Sequence, residues 1–181
     1  MKVELTNYDK FYLSGGFGYD VKWGRDFLLR RTQLAKGSGT LLDVGCGDGF
    51  WSHLLSEWYD VTAEDPSLGG VMMGAARGNE KVTFYHRGHT DSSTVCDVIF
   101  CRAMSQLSRE IDDVFRDTLE CLLSRTRRQF IYIAYTELPF NLRHPTSQYL
   151  HNPEDIQRCF SLYGTAETSF EDNYFVSTID L

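Results

Sequence analysis

The apolar positions of this chain alternate between two periods. Nearly continuous apolar runs at 41–44, 59–64, 81–86, 96–101 and 129–135 read as strands, because a parallel strand covered on both faces needs apolar side chains on both. Between the runs, apolar residues recur three and four apart. Phe50, Leu54 and Trp58, with Trp51 and Leu55, predict a helix over 50–58. A short helix is expected over 68–77, where Met72 and Met73 either fill the core or border a ligand. Ile111, Val114, Phe115, Leu119, Leu122 and Leu123 form one face of a helix over 109–124. Upstream, Trp23, Phe27 and Leu34, with Leu28 beside them, mark a helix that Asp20 caps and that ends near Lys36, Gly37 and Gly39. Downstream, Asn152, Pro153 and Asp155 occupy N-cap, N1 and N3 of a helix that turns Ile156, Cys159 and Phe160 inward and stops at Gly164. Runs at 165–170 and 174–179 close the chain as a hairpin. Residues 1–19 keep no clean period, which suggests a short helix or turn and then a loop.

Five strands alternating with helices, followed by a hairpin, imply an open, doubly wound, mostly parallel α/β sheet. At 181 residues the chain suits one domain rather than two. The formal charge of −7 and a pI near 5.2 leave no general basic surface for a nucleic-acid backbone. Arginines at 25, 30 and 31 and at 125, 127 and 128 fall on predicted helices or their ends and read as solvated faces. Five cysteines without a C-x-x-C pair suit reduced thiols. With no apolar leader-like segment and no long apolar run, a soluble cytoplasmic protein with no membrane partner is expected.

The candidate chemistry sits at the end of the first strand. There Leu41, Leu42 and Val44 lead into Gly45, Gly47 and Gly49, and a helix follows at once. Strand, glycine loop and helix N-terminus point backbone N–H groups at one place, which makes a cradle for a nucleotide-like ligand. A dinucleotide fingerprint would need a third glycine at position 50, where the chain has Phe50. Asp65 ends the second strand twenty residues beyond Gly45, where an acidic side chain can take ribose hydroxyls.

The spacing of Asp43, Gly45, Gly47 and Gly49 resembles motif I of the class I S-adenosylmethionine (SAM)-dependent methyltransferases, and the similarity in element order covers roughly residues 20–181. It implies a seven-stranded sheet with an antiparallel terminal hairpin and SAM as cofactor. In that family the acid inside the strand sits near the methionine ammonium and the glycines lie against the ligand. The cofactor residues so implied are Asp43, Gly45, Cys46, Gly47, Gly49, Asp65, Pro66, His89, Cys101 and Arg102. The family often has a Gly-Asp pair after the third strand; here Gly88 is followed by His89, so His89, Asp91 or a backbone group is left for the adenine. Asp97 stands where the family commonly has an acid at a strand start. Residues 1–36 are similar to an N-terminal aromatic loop and lid helix over the core at 37–181, with Tyr8, Tyr12, Tyr19, Met104 and Tyr149 as candidate substrate contacts.

Methyl transfer from a sulfonium needs in-line placement, exclusion of water and, for some acceptors, a base. His86, His89, Glu137, His144 and His151 are the candidates, with His144 and His151 preferred because the loop after the fifth strand usually faces the substrate in this family. No Asn/Asp-Pro-Pro-Tyr or Pro-Cys stretch argues for DNA-base methylation, and the acids of the metal-dependent catechol type are missing, so no DNA and no metal are expected. A small-molecule acceptor fits best. The alternatives are a SAM-binding subunit that activates a partner and modification of RNA or protein.

Overall fold

The computed structural model describes residues 5–32, 34–136, 149–171 and 173–181. In chain order these form α1 (Asn7–Leu13), α2 (Val21–Arg31), β1 (Thr40–Val44), α3 (Phe50–Leu55), β2 (Asp60–Asp65), α4 (Leu68–Ala76), β3 (Val82–His86), β4 (Cys96–Arg102), α5 (Asp113–Leu123), β5 (Thr126–Tyr135), α6 (Pro153–Phe160), β6 (Thr165–Glu171) and β7 (Tyr174–Asp180). The strands make one seven-stranded sheet in the order β3-β2-β1-β4-β5-β7-β6. Neighbours are parallel from β3 to β5, and β7 runs antiparallel to both β5 and β6. The expected doubly wound sheet with its terminal hairpin is therefore present. The order steps from β1 outward to β2 on one side and to β4 on the other, so a crevice opens above the C-terminal end of β1.

Two apolar layers cover the sheet, and the two-residue period of the strands assigns side chains to them. Leu41, Val98, Phe100, Ile131 and Ile133 pack under α2 and α3. Leu42, Val44, Ile99, Cys101, Phe130 and Tyr132 pack on the other side, under α5 and α6.

Several elements are shorter than their apolar periods suggest. The helix expected to reach position 36 ends at Arg31, because Thr32 turns extended and its hydroxyl donates to the Leu28 carbonyl at 2.8 Å. A separate 3-10 turn, Leu34–Lys36, follows. Likewise α5 begins at Asp113 rather than 109, since the Asp112 side chain caps it by accepting from the Phe115 amide, and Val114 faces solvent. Met72 and Met73 are exposed and neither fill the core nor line the crevice, because the buried face of α4 is made of Gly69, Gly70, Val71 and Gly74.

That glycine face receives α1. Thr6 caps the helix in a reciprocal box with Asp9, and Asp9 accepts from the Ser67 hydroxyl and the Gly69 amide, both at 2.8 Å. A Cβ at Gly70 would lie 2.7 Å from the Gly47 carbonyl oxygen, so close packing of α4 on the glycine loop needs glycine there. The polar, aromatic N-terminus is thus seated as a helix across the mouth of the crevice.

Candidate functional site

The C-terminal ends of β1, β2 and β4, roofed by α1 and Tyr19, enclose a cavity of about 320 Å³. Its floor is the glycine loop. Gly47 adopts a φ of +55°, and a side chain there would meet the Tyr12 ring. Asp65 braces this floor from β2, accepting from the Gly47 amide at 2.9 Å and the Ser67 amide at 2.7 Å. Burial pushes its carboxyl pKa up while those two amide bonds pull it down, and burial prevails. Asp43 lies deeper. It is buried and accepts a 2.5 Å bond from the Ser52 hydroxyl, and desolvation raises its pKa to about 7.

Next to Asp65, Glu64 is paired with Arg87 and accepts from the Ser92 hydroxyl at 2.6 Å, while its second oxygen is buried without a partner. Gly88, His89 and Thr90 line the same end of the cavity. Burial, followed by the Arg125 charge, lowers the His89 pKa and favours a neutral imidazole. Asp91 does not reach the cavity; its carboxylate accepts from the Gly88 amide and closes the local turn.

At the opposite end β4 stops abruptly. Ala103 takes a φ of +49°, which is uncommon for a residue with a side chain. Just before it, Arg102 donates to the hydroxyls of Tyr19 at 2.7 Å, Tyr135 at 3.0 Å and Tyr174 at 3.2 Å. Its guanidinium carbon lies 4.8 Å from the Tyr19 ring centre and 5.2 Å from that of Trp51. Tyr8 spans the mouth, its hydroxyl 3.4 Å from that of Ser105.

Of the residues singled out in the sequence, Asp43, Gly45, Cys46, Gly47, Asp65, Pro66, His89 and Arg102 line this cavity, together with Tyr8, Tyr12, Tyr19 and Met104. Others do not. Cys101 points to the opposite face of β4 from Arg102, buried beside the Met104 sulfur at 3.6 Å. Gly49 begins α3, and its open side faces Phe84 and Gly74 behind the loop. Tyr149 and His151 border a different surface hollow with Arg158 and Leu162. His151 is buried, donates from Nε2 to the Leu107 carbonyl at 2.5 Å and packs against Phe115, Tyr132 and Tyr149. Burial lowers its pKa. It is a core side chain anchoring the approach to α6, and does not face the cavity as a base would have to. His86 donates to the Pro66 carbonyl at 2.9 Å from outside the site. Asp97 is near the N-terminal end of β4, at the other end of the strand from the cavity, where it accepts from the Thr40 amide. Glu137 and His144 lie outside the described residues.

Sequence reasoning missed Trp51 and the tyrosines behind Arg102. Tyr135 ends β5, Tyr174 starts β7, and they pair directly across the antiparallel ladder. Each strand end is readable locally, but the register that joins them is not.

The site fits SAM. It has a carboxylate inside β1, another at the end of β2, and a glycine loop packed so closely under Tyr12 that a Cβ at position 47 would meet its ring. Among the described residues no group of three or more His, Cys, Asp or Glu side chains could hold a metal ion.

The model of a family described as a methyltransferase domain matches residues 21–164. Comparison with curated proteins finds no match. Among solved structures, DhpI in complex with S-adenosylhomocysteine (SAH) is 18% identical, with a TM-score of 0.72 over 95% of this chain and 94% of that one. Magnesium protoporphyrin IX methyltransferase from Synechocystis PCC 6803 with bound SAM is 15% identical, with a TM-score of 0.65 over 99% and 100%. A SAM-dependent methyltransferase from Aquifex aeolicus is 16% identical, with a TM-score of 0.62 over 90% and 98%. These likenesses concern the fold; the family match spans most of the chain and includes the glycine loop, Asp65 and Arg102. The chain belongs to the methyltransferase-domain family, within the class I SAM-dependent methyltransferases.

Proposed function

We propose that the protein transfers a methyl group from SAM to an oxygen, nitrogen or carbon of a small-molecule acceptor. The carrying observation is the cavity itself, in which an Asp65-braced glycine loop and a docked aromatic helix enclose one space lined by Asp43 and Asp65. Bound there, SAM supplies an electrophilic methyl carbon next to a positive sulfur. Asp43 accepts the cofactor's ammonium and Asp65 its ribose hydroxyls, while Gly88 and His89 border the adenine. Tyr8, Tyr12 and Tyr19 close the mouth and keep water out, so placement and desolvation do most of the work.

Of the acids that line the cavity, Asp43 and Asp65 are committed to the loop or to the cofactor, Asp48 is paired with Arg77 and Glu64 with Arg87, and His89 lies at the adenine end, so none among the described residues is left over as a dedicated base at the acceptor. That suits an acceptor that is nucleophilic in its resting state. A small acceptor agrees with the acidic net charge of −7, which offers no field for nucleic acid. One of the structurally similar enzymes acts, by its name, on a porphyrin. Incubating the protein with SAM and fractionated small metabolites, and measuring SAH formed, tests the proposal. Acceptor-dependent SAH is expected; release only with RNA or protein fractions would overturn the small-molecule reading.

A further inference from the structure

Arg102 is the cation of the cavity that has no acid beside it. A guanidinium carries five N–H donors and remains charged in proteins. Three bonds go to the phenolic oxygens of Tyr19, Tyr135 and Tyr174, and the Nε–H is buried with no partner. Among the described residues no carboxylate lies within ion-pair distance of it. Arg87, at the other end of the cavity, has Glu64. Asp43 is near enough to feel the Arg102 charge, but its hydrogen bond is the one it accepts from the Ser52 hydroxyl. Arg125 is also buried without an acid, but it does not line the cavity.

The tyrosines do not neutralise this charge. Burial raises the Tyr19 and Tyr174 pKa values, the latter to about 12, so both phenols keep their protons at neutral pH. A phenol that accepts a bond from the arginine still has its own O–H to donate. Four aromatic rings lie around the guanidinium, at 4.8 to 5.3 Å, and these cation–π contacts hold it in place without supplying a counter-charge.

Position points to the ligand this group faces. Asp65 is on β2, the glycine loop follows β1, and Arg102 ends β4 with β5 and β7 behind it. A cofactor with its ribose at Asp65 and its ammonium at Asp43 runs from β2 towards β1. The Arg102 end lies beyond, where the acceptor enters, and this argument rests on the SAM reading above. We propose that Arg102 and the Tyr19 hydroxyl bind an oxyanion of the acceptor, so that the substrate is a small molecule bearing a carboxylate or a phosphoryl group. Tyr135 and Tyr174, which back the guanidinium without lining the cavity, are positioning residues.

The test uses the whole chain with two anionic probes, inorganic phosphate and benzoate, titrated calorimetrically with and without saturating SAH. Saturable binding of one probe is expected, and which one binds separates the phosphoryl from the carboxylate class. Arg102→Gln should weaken it at least tenfold and Tyr19→Phe several-fold, while Arg102→Lys retains part of it. SAH and methylthioadenosine, which lacks the amino-acid carboxylate, are titrated into the same variants and should bind as they do to the unsubstituted protein. If Arg102→Gln weakens SAH but not methylthioadenosine, the guanidinium holds the cofactor's carboxylate and the proposal falls. Equal anion binding in all variants, or none in any, also overturns it. If Arg102→Gln does not fold, Tyr19→Phe and Arg102→Lys carry the comparison. Failure of the unsubstituted protein to bind SAH would contradict the SAM reading instead, and the anion titrations without SAH would still report on Arg102.

Discussion

Burial raises the pKa of both carboxylates at the cavity floor, and the consequence at Asp43 is measurable. Asp43 is buried with one hydroxyl partner, and desolvation brings its pKa to about 7. A ligand ammonium pairs only with its ionised form, so SAH affinity should fall as pH drops through about 7, and Asp43→Asn should flatten that dependence. Calorimetry across pH checks this. The stability effect has the opposite sign. Because the folded state holds the proton more tightly than the unfolded one, the favourable contribution is present at low pH and lost as pH rises from the ordinary carboxylate value through about 7. Free of ligand, Asp43→Asn should therefore gain in melting temperature over the unsubstituted protein across that window. Asp65 both braces Gly47 and faces the cavity, so Asp65→Asn should cost roughly 1.5–3 kcal/mol of SAH affinity, and unchanged affinity would remove it from the ribose site. Both acids were legible in the sequence because spacing along one βαβ unit reports them. The Arg102 cluster was not, because Tyr19, Tyr135 and Tyr174 come from separate parts of the chain and meet only through sheet register.

Among elements, the joint between α1 and α4 seats the helix that roofs the cavity. Burial works to raise the Asp9 pKa, but the Gly69 amide, the Ser67 hydroxyl and Thr6 outweigh it, and the carboxyl sits well below its usual range. This joint is firm above the ordinary carboxylate pKa and weakens as pH falls below it. Asp9→Ala should speed hydrogen exchange and proteolysis around residues 7–13 while leaving the sheet protected. Gly70→Ala should push α4 off the glycine loop, costing about 1–3 kcal/mol by overpacking and lowering the melting temperature by several degrees. Every helix from α2 onward was anticipated, from apolar periods or from capping residues, but not where each stops, because ends depend on single polar groups such as the Thr32 hydroxyl and the Asp112 carboxylate. The same periods left 1–13 undecided. α1 is held by its capping box and by Asp9 bonds to a helix about sixty residues away, which no local pattern shows.

For the whole molecule, strand-helix alternation and the final hairpin were enough to give the sheet, since right-handed crossovers leave few other arrangements. The alternation also placed the crevice at the glycine loop. It left His151 misassigned, because a loop position says nothing about whether a side chain faces the cavity or, as here, turns in beneath Leu107. Among the described residues no helix is long and apolar enough to cross a membrane. A small oxyanion held at one guanidinium should lose affinity only modestly with salt, whereas a nucleic-acid acceptor, with many phosphate contacts, would lose it steeply through counterion release. The most direct test of the central claim is a calorimetric titration of the unsubstituted protein with SAH. The structure predicts one-to-one binding, displaced by SAM and weakened at least tenfold in Asp65→Asn; no heat and no thermal shift at millimolar SAH would contradict it.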